Sequence, residues 1–295
     1  MAHEIDAAAL DSVKTVAGRK PAHTLPIGAP CPNCGTTLDG PWCHACGQSS
    51  EDFHRSLARL AGEAIGGLYD FDSRLWRTVP DLCLRPARLT RAFLNGHRVS
   101  QVPPFRLFLV VVVLVFLVGG LGAGHTKVVV APATPNSPDP VARYIAMHPN
   151  PVVKQWVAPR VKAIAKDPDR FVASLSAWAQ RLVFLALPLS AGLLGAMFFW
   201  RRDVYMFDHL IFSMHSLSFQ GLLLSISMLA TRLNDAFGWL LILAPVHLFA
   251  HLKGVYGLGA FGTLARMLAL FLGSLLGLIV AMSALVLFGL FEVGP

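Results

Sequence analysis

The chain has 295 residues, 54% hydrophobic and 14% charged, with a formal net charge of +8 and a mean hydropathy of +0.55. Soluble domains carry about 25% charged residues, so this composition excludes an ordinary soluble domain. The apolar residues fall into long runs, and basic residues beside such runs point to phospholipid headgroups ahead of nucleic acid.

Residues 1–30 lack the apolar stretch of a cleavable signal peptide. They read as a disordered polar leader, with the N-terminus expected in the cytoplasm. Residues 31–48 follow as CPNCGTTLDGPWCHACGQ. Two C-x2-C turns bring Cys31, Cys34, Cys43 and Cys46 into reach of one ion. Gly35 and Gly47 admit the backbone bend behind each second sulfur. Four thiolates form the closed tetrahedral set of a structural zinc site, so one zinc ion is the expected cofactor. Rubredoxin-type iron fits the same ligands, and a pair of disulfides is the other alternative, opposed by a reducing compartment. A closed site has no open position for Lewis-acid chemistry, so the knuckle is expected to stabilise a miniature fold. His44 reads as a bystander. Cys83 stands alone and reads as a buried apolar residue.

Residues 53–100 read as cytosolic or interfacial amphipathic helices. Phe53, Leu57, Leu60, Ala64 and Leu68 form one helical stripe. Ser73–Leu84 is a second helix that Pro80 should interrupt, and Pro86 begins a third. Seven arginines lie between Arg74 and Arg106 against one acid, Asp81. Such helices fit an in-plane position at a membrane surface, or packing on the knuckle or on one another.

The apolar runs predict an all-α membrane bundle of four to five spans, at 103–122, 181–200, 207–231, 236–252 and 264–291. Pro103-Pro104 sets the start of the first. Pro188 and Pro245 are expected to kink the second and fourth. Residues 123–180, proline-rich at their start, read as an extracytoplasmic loop with short helices. The arginine run and Arg201, Arg202, Lys253 and Arg266 place the N-terminus in the cytoplasm of a multi-pass inner-membrane protein. The loop's seven basic residues, Lys127 to Arg170, count mildly against that orientation.

Histidines within spans mark polar sites. His209 and His215 fall in the third span, His247 and His251 in the fourth. The antiparallel arrangement places His209 level with His251. These four define either a second polar site, for metal or proton relay, or histidines hydrogen-bonding across helices. Ser213, Ser216, Ser218 and Gln220 turn the third span toward protein. Gly273 and Gly277 give the fifth a GxxxG-like motif. No nucleophile elbow, Walker loop, HExxH or paired-carboxylate motif occurs, and no catalytic residue is identified.

Three stretches resemble a bacterial family catalogued as domain of unknown function 3667. They are CPNCG…WCHACGQ, LTRAFLNGHRVSQVPPFRLFLVVVVLVFLV, and the pair FDHLIFSMHSLSFQGLLL and HLFAHLKGVYG. The resemblance implies a zinc-ribbon-like element before several membrane helices, and no activity. The expected function is that of a non-enzymatic membrane adaptor or regulator. Its partners are the bilayer and a protein docked at the cytosolic arm, with nucleic acid disfavoured and oligomeric state undetermined. The alternatives are a small transporter or channel, or a metal-dependent membrane enzyme, using the four histidines.

Overall fold

The computed structural model describes residues 25–50, 74–123, 158–166 and 183–293, with isolated positions at 147, 150, 151, 155 and 156. The leader up to residue 24, the stripe at 53–68 and most of the loop 123–180 lie outside the described residues. Among the described residues all regular elements are helical, apart from two isolated antiparallel bridges, Pro30 with Thr37 and Trp42 with Ser49. The chain divides into two compact units. The smaller holds the described residues up to Val79 together with Arg91–Pro103; the larger holds Pro80–Thr90 and the chain from Pro104 onward.

Helix α1 spans Leu75–Leu84 and α2 spans Pro86–Leu94. Contrary to expectation, α1 runs through Pro80. Pro80 is the sixth residue of α1 and removes the donor to Trp76's carbonyl in the second turn, a loss offset by the burial of Thr78 and Leu82 on either side of it. Pro86 does end the helix, and it opens α2 in the position where a missing N–H costs nothing. In the smaller unit α2 closes in a Schellman turn: Gly96 takes φ +93, its N–H bonds Phe93 O at 3.1 Å, and His97 N–H bonds Ala92 O at 2.9 Å.

The larger unit contains α3 (Pro104–Ala123), α4 (Ala158–Lys166), α5 (Ala186–Met197), α6 (Met206–Ala230), α7 (Leu243–Tyr256) and α8 (Ala260–Val293). A 3-10 segment, Asp235–Ile242, leads directly into α7. Four helices are long and apolar enough to cross a membrane: Pro104–Leu121, Met206–Ala230, Asp235–Tyr256 and Ala260–Phe291. The expected span at 181–200 is represented by α5, whose 12 residues reach about 18 Å at 1.5 Å per residue. That is short of a ~30 Å hydrocarbon core.

Pro188 and Pro245, expected to kink their spans, instead sit in the first turns of α5 and α7, each behind a 3-10 segment. There the lost N–H lies near a helix start, and 3-10 winding relieves the crowding of Pro245 on Leu241's carbonyl.

Helix α6 is the centre of the larger unit, with contacts to α3, α5, the 3-10 segment and α7. Of its span 61% is buried, against 11% for α8, so the polar side chains of α6 face protein. Ser218 and Ser225 return their hydroxyls to the carbonyls of Met214 and Gly221 at 2.6 and 2.9 Å. The glycines of α8 form a close seam on α5: a Cβ at Gly273 would lie 2.8 Å from Leu193 and one at Gly277 2.5 Å from Leu189. At its far end, Arg160 of α4 donates to Leu290 O at 3.1 Å, a cation on the carbonyl end of α8.

The junction of α5 and α6 is similarly pinned. Asp208, third residue of α6, accepts from Tyr205 N–H at 2.9 Å, which ties down a free amide at the helix start. Arg201 pairs with Asp203 and donates to Tyr256 O, the last residue of α7, at 2.8 Å. The Arg201 guanidinium holds the Asp203 carboxyl below its ordinary range.

Candidate metal centre and buried histidine network

The knuckle is two copies of one turn, twelve positions apart. In the first, Gly35 N–H bonds Cys31 O and Cys31 N–H bonds Thr36 O, both at 2.8 Å. In the second, Gly47 N–H bonds Cys43 O and Cys43 N–H bonds Gln48 O, again at 2.8 Å. Gly35 and Gly47 take φ +77 and +72, the left-handed region that favours glycine. Each turn aims two sulfurs inward. Cys31 and Cys46 sulfurs lie 3.6 Å apart and Cys34 and Cys43 sulfurs 3.5 Å apart, and all four lie within 4.8 Å of one another.

That spacing is the spacing of a metal site. A disulfide needs about 2.05 Å, and all four cysteines are free. A tetrahedral ion with bonds of about 2.3 Å separates its sulfurs by about 3.8 Å. The four thiols are close enough to hold one metal ion. Hydrogen bonding with Thr36, side chain first and then backbone, lowers the exposed Cys34 thiol to about 6, while burial raises Cys46. His44 pairs with Asp39 at 3.3 Å, away from the sulfurs.

The knuckle's interior is small: Cys31, Leu38 and Cys43 are buried, with Leu25 and Cys46 against them. A miniature core of this size needs a metal to hold it. The knuckle is anchored within its unit on the Schellman turn after α2. Gln48 Nε2 donates to Gly96 O at 2.7 Å, and Pro32 packs so close that a Cβ on Gly96 would lie 2.7 Å from it.

The four histidines lie elsewhere, inside the larger unit. His209, His215, His247 and His251 are all buried. His215 Nδ1 and His251 Nε2 both bond Thr90 Oγ1, at 2.9 and 2.8 Å. His247 Nε2 donates to Leu82 O at 2.8 Å. His209 Nδ1 bonds the Tyr256 hydroxyl at 2.7 Å. Phe212 stacks on His251 and Phe219 on His247, at 4.1 and 3.5 Å between centroids.

The expected level pairing of His209 with His251 is therefore corrected. His209 meets Tyr256, and His251 is joined to His215 through Thr90. Residues 231–234 link α6 to the 3-10 segment, and equal counts either side of that link bring 209 to 256 and 215 to 251.

Thr90 and Leu82 were not among the residues singled out in the sequence. A local signal for Leu82 exists nonetheless. An α-helical N–H at residue 86 would bond the carbonyl of residue 82, but Pro86 has none. Leu82's carbonyl is left free by the proline, and His247 fills it. Leu82, Leu89 and Thr90 are fully buried, and Ala87 packs so closely on α7 that a Cβ on Gly254 would overlap its own. The elbow of residues 80–90 thus docks onto α6 and α7 by polar bonds from Leu82 and Thr90 and by the close approach of Ala87, between them in the chain.

Residues 72–116 match the family model described as Protein of unknown function (DUF3667). The matched stretch contains Leu82, Pro86 and Thr90 as well as most of α3. The elbow thus lies inside the DUF3667 match, whereas the knuckle and the histidines lie outside it. No curated protein and no solved structure matches the chain.

Proposed function

We propose that this chain is a non-enzymatic multi-pass membrane adaptor whose knuckle, held by one zinc ion, presents a docking surface to a protein partner on the cytoplasmic side. The observation that carries the reading is the form of the knuckle. Its four sulfurs converge inward and leave no position for substrate, while Ile27 and Trp42 stand outward at 77% and 63% exposure. A small metal-held module that shows large apolar side chains is suited to binding protein. Four thiolates in two glycine-backed turns favour zinc.

The alternative readings, transporter or metal enzyme, need histidine nitrogens open to a path. The hydrogen bonds count against them. Each of the four histidines is engaged by Thr90, Leu82 O or Tyr256. The cavity of about 320 Å³ between α3, α6 and the 3-10 segment is lined by none of them. The arginine-rich stretch before α3 supports a cytoplasmic knuckle in a bacterial inner membrane.

Metal analysis of the purified protein tests the zinc. One zinc per chain is expected, lost in Cys31→Ser/Cys43→Ser. A second metal that survives this change would move the function to the histidines. For the adaptor, proteins captured by the wild type should be lost with Ile27→Ser/Trp42→Ser at unchanged zinc content. Capture that is indifferent to this surface would overturn the reading.

A further inference from the structure

We propose that Arg266 holds the phosphate of an anionic phospholipid at the end of the larger unit where α8 begins. The proposal rests on the membrane-spanning part of the reading above and is independent of the knuckle and its partner.

The start of α8 lies beside the junction of α5 and α6. Phe198, just after α5, stacks on Tyr256, the last residue of α7, at 4.3 Å between centroids. Arg201 donates to the Tyr256 carbonyl at 2.8 Å. These contacts gather Arg201, Arg202, Lys253 and Arg266 at one end of the unit, with Asp203 and Asp208 as the acids of the same junction. Both acids are engaged. Asp203 pairs with Arg201, and Asp208 accepts from Tyr205 N–H. Among the described residues no carboxylate pairs with Arg202, Lys253 or Arg266.

Arg266 is the cation set furthest into an apolar segment. It is the seventh residue of α8, about 9 Å along the axis from the helix start, and it is half-buried. Its side chain runs back toward that start. Nη1 donates to Gly262 O at 3.1 Å, and the guanidinium lies 4.8 Å over Phe198 and 5.9 Å over Trp200. The ring faces attract the cation but supply no counter-charge. Nε is buried with no hydrogen-bond partner, and Nη2 makes no hydrogen bond among the described residues. A guanidinium with open donors in its planar fork is matched by two oxygens of a phosphate.

The surface around the cation selects a lipid as the source of that phosphate. Phe199, Trp200 and Phe261 are exposed at 79%, 56% and 87%, and aromatic side chains of this kind stand at the headgroup level of a bilayer. Ala265, Ala269, Leu272 and Leu276 are spaced by 4, 3 and 4 residues, one helical stripe flanking Arg266, and the stripe is exposed along its length. A soluble anion would use the guanidinium and nothing of this stripe. A phospholipid uses both, its phosphate at Arg266 and its acyl chains along α8. Basic residues at the membrane ends of helices take anionic headgroups in this way.

The test is photo-crosslinking from Phe261→p-benzoylphenylalanine, with the full chain in nanodiscs of equal phosphatidylglycerol and phosphatidylcholine and the lipid adducts counted by mass spectrometry. Phosphatidylglycerol should exceed phosphatidylcholine in the adducts by about fivefold, the factor contributed by one basic residue near an anionic surface. Arg266→Gln should return the ratio toward one. Arg266→Lys, which keeps the charge, should retain most of the enrichment, and Arg232→Gln, beyond the far end of α6, should leave it unchanged. A ratio of one in the wild type overturns the site alone, whereas the absence of any lipid adduct overturns the membrane-spanning reading with it. Enrichment that survives Arg266→Gln also overturns the proposal. So does enrichment erased by inorganic phosphate at constant ionic strength, which assigns the site to a soluble anion. A loss in Arg266→Lys equal to that in Arg266→Gln, the mark of disturbed packing on Phe198, overturns it too.

Discussion

Replacing Thr90 by valine isolates the bridge between α2 and the two histidines. The shapes match, so Thr90→Val opens no cavity and removes only the hydroxyl that meets His215 and His251 at 2.9 and 2.8 Å. Interhelical side-chain hydrogen bonds in membrane proteins average about 0.6 kcal/mol and reach about 1.7. Thr90 makes two, at a site with no exposure, and His251 loses its described hydrogen bond, since its Nδ1 makes none. The expected loss is about 1–3 kcal/mol, with the upper part from the polar atoms left buried. Thr90→Ser keeps the hydroxyl and should lose only a methyl group, about 0.8 kcal/mol. Reversible unfolding in bicelles, followed by helical signal and by exchange protection of residues 80–94, reads both variants. A valine variant as stable as the wild type would refute the reasoning, because the hydroxyl would then contribute nothing to docking.

Gly96→Ala meets both a φ of +93 and Pro32 at 2.7 Å, so the knuckle should loosen from its seat by about 1–3 kcal/mol, seen as faster proteolysis of residues 25–50. Gly277→Val drives a side chain into Leu189 and should destabilise the α5–α8 seam by about 1–3 kcal/mol. Gly120→Ala meets nothing within 4 Å and should be neutral or slightly stabilising by thermal unfolding, since alanine is the better helix former. Removing metal with a chelator should raise hydrogen exchange across residues 25–50 and leave α5–α8 unchanged, because the knuckle's core is three buried residues and the larger unit has its own.

What could be read in the chain was what is local. The knuckle was legible because its ligands and glycines lie within a short stretch, and each turn closes on itself. The spans at α3, α6 and α8 were legible as apolar runs. The histidines stood out as rare residues in such runs. Their partners did not, because Thr90 reaches His251 across 161 residues and Leu82 reaches His247 across 165, and no period or spacing connects them. Pro86 looked like a helix start, which it is, and the carbonyl it frees becomes meaningful only once His247 arrives. Pro80 misled because the burial of Thr78 and Leu82 on either side of it, which holds the helix through the proline, leaves no local mark in the sequence.

Those same separations impose an order on synthesis. The elbow leaves the ribosome long before the helices that receive it. At about 5–20 residues per second, the chain needs roughly 10–30 s to reach the histidines after Leu82 is made. Throughout that interval the Pro86-freed carbonyl and the Thr90 hydroxyl have only water or lipid headgroups to satisfy them. Docking of the elbow is therefore a late, post-insertion event, and it reports that α6 and α7 have been made and paired.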